Sequence, residues 1–308
     1  MAIVPRMRPQ DPPVTRKQVL EAVPPFSIAL DGYVADGPFF VTTPRGPWWN
    51  ANHHEGVDRL ATRATCAQVL VAIRQGLFDT FRDFEGPRAE VFMNDNDPDV
   101  ALSWFLLKHH WLAQSTINPA LNRLVALEDL MDATAGAYPF PKDLPALEEL
   151  AWVFEPYWRF RVTGGVDRKD PEEFVSILTD TERRIMDHIT GRGRTIAVDM
   201  GHDVLRRTSQ WAIVREHGAQ ARTAVFADGI RVFAAVRERP NGRRTVSIGK
   251  FSTFTPCALD RILAACNAAE EPGPDSWGGG TTIIGSPRIR GTALTDDQLA
   301  EIMEETCA

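Results

Sequence analysis

The segment Asn50-Ala-Asn-His-His-Glu-Gly56 sets two adjacent histidines among amides and a carboxylate, with Asp58 just beyond it. A second segment, Asn94-Asp-Asn-Asp-Pro-Asp99, holds three aspartates at alternating positions. Imidazole nitrogen and carboxylate oxygen together suit Mn, Fe or Zn. Adjacent side chains of an extended segment point opposite ways. One histidine, His53, is therefore expected to bind a metal, and its neighbour His54 to face a substrate or the groups behind the ligands. Asp95, Asp97 and Asp99 would share one face if extended, and like charges that close repel unless a cation neutralises them. An N-cap role for Asp97 or Asp99 on the helix opened by Pro98 is the competing explanation. A third acidic group, Glu128, Asp129 and Asp132, has helical spacing. Asp129 or Asp132 would add a bridging carboxylate, and Asp129 completes the expected set with His53, Asp97 and Asp99.

Another constellation lies near the C-terminus, Trp277-Gly-Gly-Gly-Thr-Thr282 followed by Ser286, Arg288 and Arg290. Consecutive glycines let backbone N–H groups approach an anion, and arginine clamps phosphate or carboxylate bidentately. Gly279, Gly280, Thr281, Ser286 and Arg288 are the expected substrate-binding residues. His109 and His110 close a helix, where positive charge is favourable, and read as structural. Asp199, His202 and Asp203 form a further candidate group.

The elements that must position these groups follow from pattern. Phe26–Leu30 and 37–42 read as strands joined by a turn that includes Asp31, and 44–56 as a loop. A helix is predicted over 62–76 and a strand at Val91–Met93, with the acidic segment at its C-terminal end. Helices follow from Pro98, where proline suits the first turn, and over 121–136. Residues 143–190 read mainly helical, and 195–200 as a strand. Beyond residue 205, the runs 222–229, 230–238 and 244–252 look strand-like. The last two are joined by Pro240-Asn-Gly242, a good hairpin turn. Helices are predicted at 259–270 and 296–305.

Strand, acidic loop and helix in succession predict an α/β fold. Its mainly parallel sheet core would carry helices on both faces, with ligands at the strand C-terminal ends, plus a smaller α+β C-terminal domain. The divisions expected are an extended arm over 1–24, an α/β metal-site domain over 25–200 and an α+β substrate-binding domain over 205–308.

The 308 residues suffice for two cores, and 44% hydrophobic with 24% charged residues is ordinary globular composition. A net charge of −7 argues against non-specific nucleic-acid binding, which needs a basic surface. It leaves room for a small anionic substrate beside a bound cation. No apolar run reaches the roughly 20 residues of a membrane span, and no signal-peptide core is visible, so a cytoplasmic location is expected. Cys66, Cys257, Cys266 and Cys307 form no CxxC pair, and free thiols are expected in that compartment. A homodimer is left open.

Taken together, these segments resemble the DHH phosphoesterase superfamily, whose members cleave phosphoester or phosphoanhydride bonds at a two-metal centre. Asn52-His53-His54 stands where that family has Asp-His-His after a strand. Asn96-Asp-Pro-Asp-Val-Ala-Leu-Ser103 is similar to its acidic motif, which in the family precedes the histidines rather than following them. Gly278-Gly-Gly-Thr281 stands where the family has Gly-Gly-Gly-His. The resemblance implies a metal-dependent hydrolase with Mn or Mg as cofactor, acting in an inter-domain cleft. His54 would contact the scissile group, with Asp58 as a second catalytic candidate. Two alternatives stand beside it: a ligand-binding or regulatory protein of the same fold, and a metal-dependent amide hydrolase.

Overall fold

The computed structural model describes residues 3–114, 118–134, 136, 138–218, 220–270, 273 and 275–307. The chain forms two compact units, one of residues 1–135 with 145–197, the other of 136–144 with 198–308.

Unit 1 is built on a five-stranded sheet. Its strands are β1 (Val4–Met7), β2 (Ser27–Leu30), β3 (Phe39–Thr43), β4 (Gly46–Ala51) and, after a two-residue ribbon β5 (Arg82–Asp83) and β6 (Gly86–Pro87), β7 (Glu90–Met93). The order is β1-β7-β2-β4-β3, parallel throughout except β3, which runs antiparallel to β4. Residues 4–22, expected as an arm, instead supply β1 at one sheet edge and the helix α1 (Arg16–Ala22). The second correction is β4. Gly46, Pro47 and two tryptophans look like a loop, yet both neighbours of β4 pair with it, and Trp48 is buried.

Strand alternation divides the apolar residues between two faces. Ile28, Leu30, Val91 and Met93 join the larger core, while Ala29 and Phe92 join Val19 of α1 and Trp48 on the other face. The larger core is filled by α2 (Thr65–Arg74), α3 (Leu77–Thr80), α4 (Pro98–Lys108), α5 (His110–Gln114), α6 (Pro119–Ala133), α7 (Pro145–Val162), α8 (Gly165–Arg168) and α9 (Pro171–Ile189). Helix α4 is buried on every side, so its position, and that of the acidic residues at its start, is fixed by packing all round.

Glu182 ties α9 to α4. Its carboxylate accepts from Lys108 Nζ at 2.7 Å, His109 Nε2 at 2.9 Å and Trp104 Nε1 at 3.3 Å. Burial alone would raise its pKa, but His109 and Lys108 outweigh burial and hold it at about 2, against 4.5 when unfolded. A depressed carboxylate stabilises the fold above its unfolded pKa and loses that contribution as pH falls from about 4.5 towards 2. Discounted for the exposed lysine, Glu182→Gln should cost on the order of 1–2 kcal/mol at pH 7. In urea denaturation, the gap from the unmodified protein should narrow between pH 4.5 and pH 3; a gap independent of pH would contradict this.

Unit 2 carries a six-stranded sheet of β8 (His202–Arg207), β9 (Ala212–Glu216), β10 (Val232–Glu238), β11 (Arg244–Lys250), β12 (Gly278–Gly279) and β13 (Ile283–Gly285), in the order β12-β13-β11-β10-β9-β8. The stretch 195–200 is not a strand; the first strand here begins at His202. The run 222–229 is also a correction, since Ala221–Ala227 forms α10. Strands β9 and β10 are parallel, and parallel neighbours need a crossover, here supplied by α10. Helices α11 (Leu259–Ala268) and α12 (Asp296–Thr306) pack on one sheet face and α10 on the other. The free-thiol expectation fails for one pair, because Cys257 and Cys307 form a disulfide across 50 residues. Cys66 and Cys266 are free and buried. Among the described residues no helix is long and apolar enough to cross a membrane.

Candidate metal centre

Three loops leave the C-terminal ends of adjacent strands in unit 1: Asp31 follows β2, Asn52-His53-His54 follows β4, and Asn94–Asp99 follows β7. Because β2 lies between β7 and β4, Asp31 is set between the histidine loop and the acidic loop. In open α/β sheets this end of the strands is where ligands gather. Asp31 adopts φ 39°, an unusual backbone for a residue with a side chain.

The geometry centres on His53, whose side chain is fully buried. Its Nε2 lies 2.7 Å from Asp132 Oδ2, 3.2 Å from Asp31 Oδ1 and 3.8 Å from Asp99 Oδ2. Neither ring nitrogen makes an aligned hydrogen bond. A single N–H cannot point at three carboxylates, whereas one cation can hold several of them. Two groups have ligand atoms within 4.8 Å of one another, Asp31 with His53 and His54, and His53 with Asp99 and Asp132. These histidines and aspartates, of which Asp31, His53 and Asp99 are buried, can hold a metal ion.

Electrostatics points the same way. Burial opposes a charged His53, yet Asp132 and Asp31 outweigh it and raise its pKa to about 10. Burial likewise opposes ionised Asp31, and His53 and His54 hold it well below the usual carboxylate range. The remaining carboxylates go the other way. Asp99 is pushed up to about 7 by burial and then by Asp31 and Asp132. Asp95, Asp97 and Glu128 are also raised, first by burial and then by one another or by Asp31, Asp99 and Asp132. So many buried carboxylates cannot all ionise beside a single imidazolium. A divalent cation would supply the missing positive charge and release the histidine proton.

His54 is partly exposed. Its Nε2 lies 2.9 Å from Asp31 Oδ1, and Arg59 Nη1 sits 3.3 Å from its Nδ1. Arginine can only donate, so Nδ1 accepts and the ring proton sits on Nε2. The two histidines do not point opposite ways as an extended segment would require; both reach Asp31, with ring centroids 4.5 Å apart. The chain bends as it leaves β4.

The other expected site residues fall as follows. Asp97 is the N-cap of α4, accepting from Val100 N at 2.9 Å. Asp99 lies in the first turn of α4, and its carboxylate accepts from Thr65 N and Cys66 N at the start of α2. Asp129 also caps that end of α2, accepting from Ala64 N at 2.7 Å and pairing with Arg63. Its place beside His53 is taken by Asp132, one helical turn after buried Glu128. Asp58 is exposed and shapes its own turn by accepting from Leu60 N. Asn52 is fully buried, and its amide donates to Val34 O, Asp36 O and Glu55 Oε2. That is a donor's role, which an aspartate cannot fill.

In unit 2, the glycine segment is an edge hairpin. Gly280 N donates to Ile283 O at 2.8 Å, and Ser286 Oγ accepts from Val246 N at 3.0 Å. Gly279 has φ 150°, and a Cβ there would sit 2.4 Å from Ile283 O, so the hairpin itself demands glycine. Thr281 and the Arg288 side chain remain exposed, while the Arg288 carbonyl accepts from Arg239.

Asp31 and Arg59 are the participants that the pattern did not mark as ligands or positioning groups, while Asp132 was marked only as the alternative to Asp129. An acid directly after a buried strand was the available signal for Asp31. For Asp132 it was the four-residue step from Glu128, along the face that also buries Leu121, Leu124 and Val125. No protein-family model matches the chain, and no curated protein matches it.

Proposed function

We propose that unit 1 is a metal-dependent hydrolase acting on a phosphate ester or phosphoanhydride. The observation that carries this reading is the meeting of Asp31, His53, Asp99 and Asp132 on one buried point, with His54 beside it. The set is nitrogen and hard oxygen with no thiolate, which suits Mn2+, Fe2+ or Zn2+; the family resemblance implies Mn2+ or Mg2+, and Mn2+ satisfies both. When bound, the cation supplies an acidified water and polarises a substrate oxygen. The protein's own share is orientation. Arg59 fixes the His54 tautomer so that its Nε2–H donates to Asp31 Oδ1 at 2.9 Å and holds that carboxylate in place. It also donates to the Asp132 carbonyl at 2.9 Å, holding the end of α6 against the histidine loop. The resemblance of Asn52-His53-His54 to the Asp-His-His of DHH phosphoesterases supports phosphate chemistry over amide chemistry.

The test is a panel of phosphomonoesters, phosphodiesters and pyrophosphate, assayed with Mn2+ and with EDTA. Turnover that needs Mn2+ and stops with EDTA is expected. Bound Mn2+ with no turnover across the panel would overturn the hydrolase reading in favour of a binding or regulatory protein.

A further inference from the structure

Unit 2 holds a cavity of about 190 Å³ at the end of its sheet where β8 stops and β9 and β10 begin. Drug-sized ligands take roughly 300–1,000 Å³, so this space suits one compact group. No carboxylate lines it, whereas two arginines do, Arg207 at the end of β8 and Arg231 just before β10. Neither guanidinium has a hydrogen bond or ion pair with another described residue. Other arginines of this unit are engaged: Arg206 pairs with Asp297, Arg222 with Glu216 and Arg244 with Asp296. Two cations on one cavity with no acid between them repel, and a bound anion removes that cost.

The rest of the lining is held in place and adds donors. Thr208 fixes the turn between β8 and β9, its hydroxyl accepting from Gln210 N at 3.1 Å and Trp211 N at 3.0 Å. That leaves the Ser209 hydroxyl and the Gln210 amide on the lining, without side-chain partners among the described residues. Thr255 and Cys307 also line the cavity, and the Cys257–Cys307 disulfide ties the Thr255 loop to the end of α12. Lys250 braces the same loop. Its ammonium donates to the Cys257 carbonyl at 3.0 Å and meets no carboxylate among the described residues, so a third positive charge stands behind the wall. The neighbouring acids are committed elsewhere: Asp228 pairs with Lys142 at 2.7 Å, and Glu304 accepts from the Trp211 indole at 3.2 Å.

We propose that this cavity binds a phosphate group, free or as the end of a small phosphomonoester, clamped by Arg207 and Arg231 with Ser209 and Gln210 as further donors. Charge decides among anions. A phosphomonoester carries about −1.5 to −2 near pH 7, which two guanidinium forks match better than they match a singly charged carboxylate. The site lies wholly in unit 2 and needs no metal, so it stands apart from the hydrolase reading.

Calorimetric titration of EDTA-treated, full-length protein at pH 7.5 and low salt is the test. Inorganic phosphate and glycerol 3-phosphate are the phosphate probes, and acetate is the carboxylate probe. At least one phosphate probe should bind, at least about tenfold tighter than acetate, and the tighter of the two identifies the natural form of the group. Arg207→Gln and Arg231→Gln should each weaken that binding by about tenfold or more. Both side chains are exposed, so the melting temperature without ligand should not change. Arg288→Gln removes an exposed arginine outside the cavity and should leave binding as it was. Failure of both phosphate probes to bind, acetate binding as tightly, or losses no greater for the cavity arginines than for Arg288→Gln would overturn the proposal. None of these outcomes bears on Mn2+-dependent turnover, which tests unit 1 by itself.

Discussion

Replacing His53 by alanine is expected to weaken Mn2+ binding by more than about 100-fold, since losing a residue that only supports a ligand already costs roughly 10–100-fold. The unmodified protein should melt higher when Mn2+ is added, by the equivalent of about 2.7 kcal/mol at a hundred times the dissociation constant. The variant should show almost none of that rise at the same concentration. In EDTA the variant should also be less stable, by roughly 3 kcal/mol, because Asp31 and Asp132 lose the imidazolium between them. Asp132→Asn keeps the shape and removes one ligand, so it guards against a variant that merely fails to fold. It too should lose most of the Mn2+-dependent rise. An undiminished rise in both variants would place the cation somewhere else.

The second large effect concerns Asn52. The family resemblance would put an aspartate here, so Asn52→Asp looks like a restoration. The structure says otherwise. The amide of Asn52 lies 2.6 Å from Glu55 Oε2 and also donates to the carbonyls of Val34 and Asp36. A carboxylate would leave buried carbonyls unpaired, at about 1–3 kcal/mol. It would also set two like charges together, at up to about 4 kcal/mol for a partly screened pair. The expected loss in EDTA is roughly 3–5 kcal/mol, or a melting temperature lower by about 10 °C. Thermal unfolding measures it directly. An unchanged melting temperature would show that the Asn52 amide is not a structural donor.

How far the site was legible depended on whether a residue's neighbours announced it. His53 and His54 stood out because paired histidines among acids are chemically conspicuous. Asp31 did not, because a lone aspartate before glycine also reads as an ordinary turn. The helical spacing of Glu128, Asp129 and Asp132 was visible, yet it does not say which face turns inward. That is set by the packing of α6, which buries Glu128 and leaves Asp129 to cap α2. Asp97 and Asp99 were placed on an extended segment, but Pro98 opens the helix immediately, and the two acids part into a cap and a first-turn residue.

The same division holds for the fold. The strands Ser27–Leu30 and Glu90–Met93 and the long helices carried their periods openly. Strand β4 did not, since Gly46 and Pro47 are poor local strand formers, held in place by pairing on both sides. RTAVFADG, which forms α10, also reads as a strand because it is short and apolar enough for either. Only the parallel pairing of β9 with β10 demands a crossover there. The pairing of Cys257 with Cys307 depends on bringing the end of α12 beside the loop before α11, which no spacing reveals.

The most direct test is anomalous diffraction at the manganese edge from crystals of the full-length protein grown with Mn2+. The account expects an anomalous peak bounded by His53, Asp31 and Asp132. Manganese bound only elsewhere, or none at this point at saturating concentration, would contradict it.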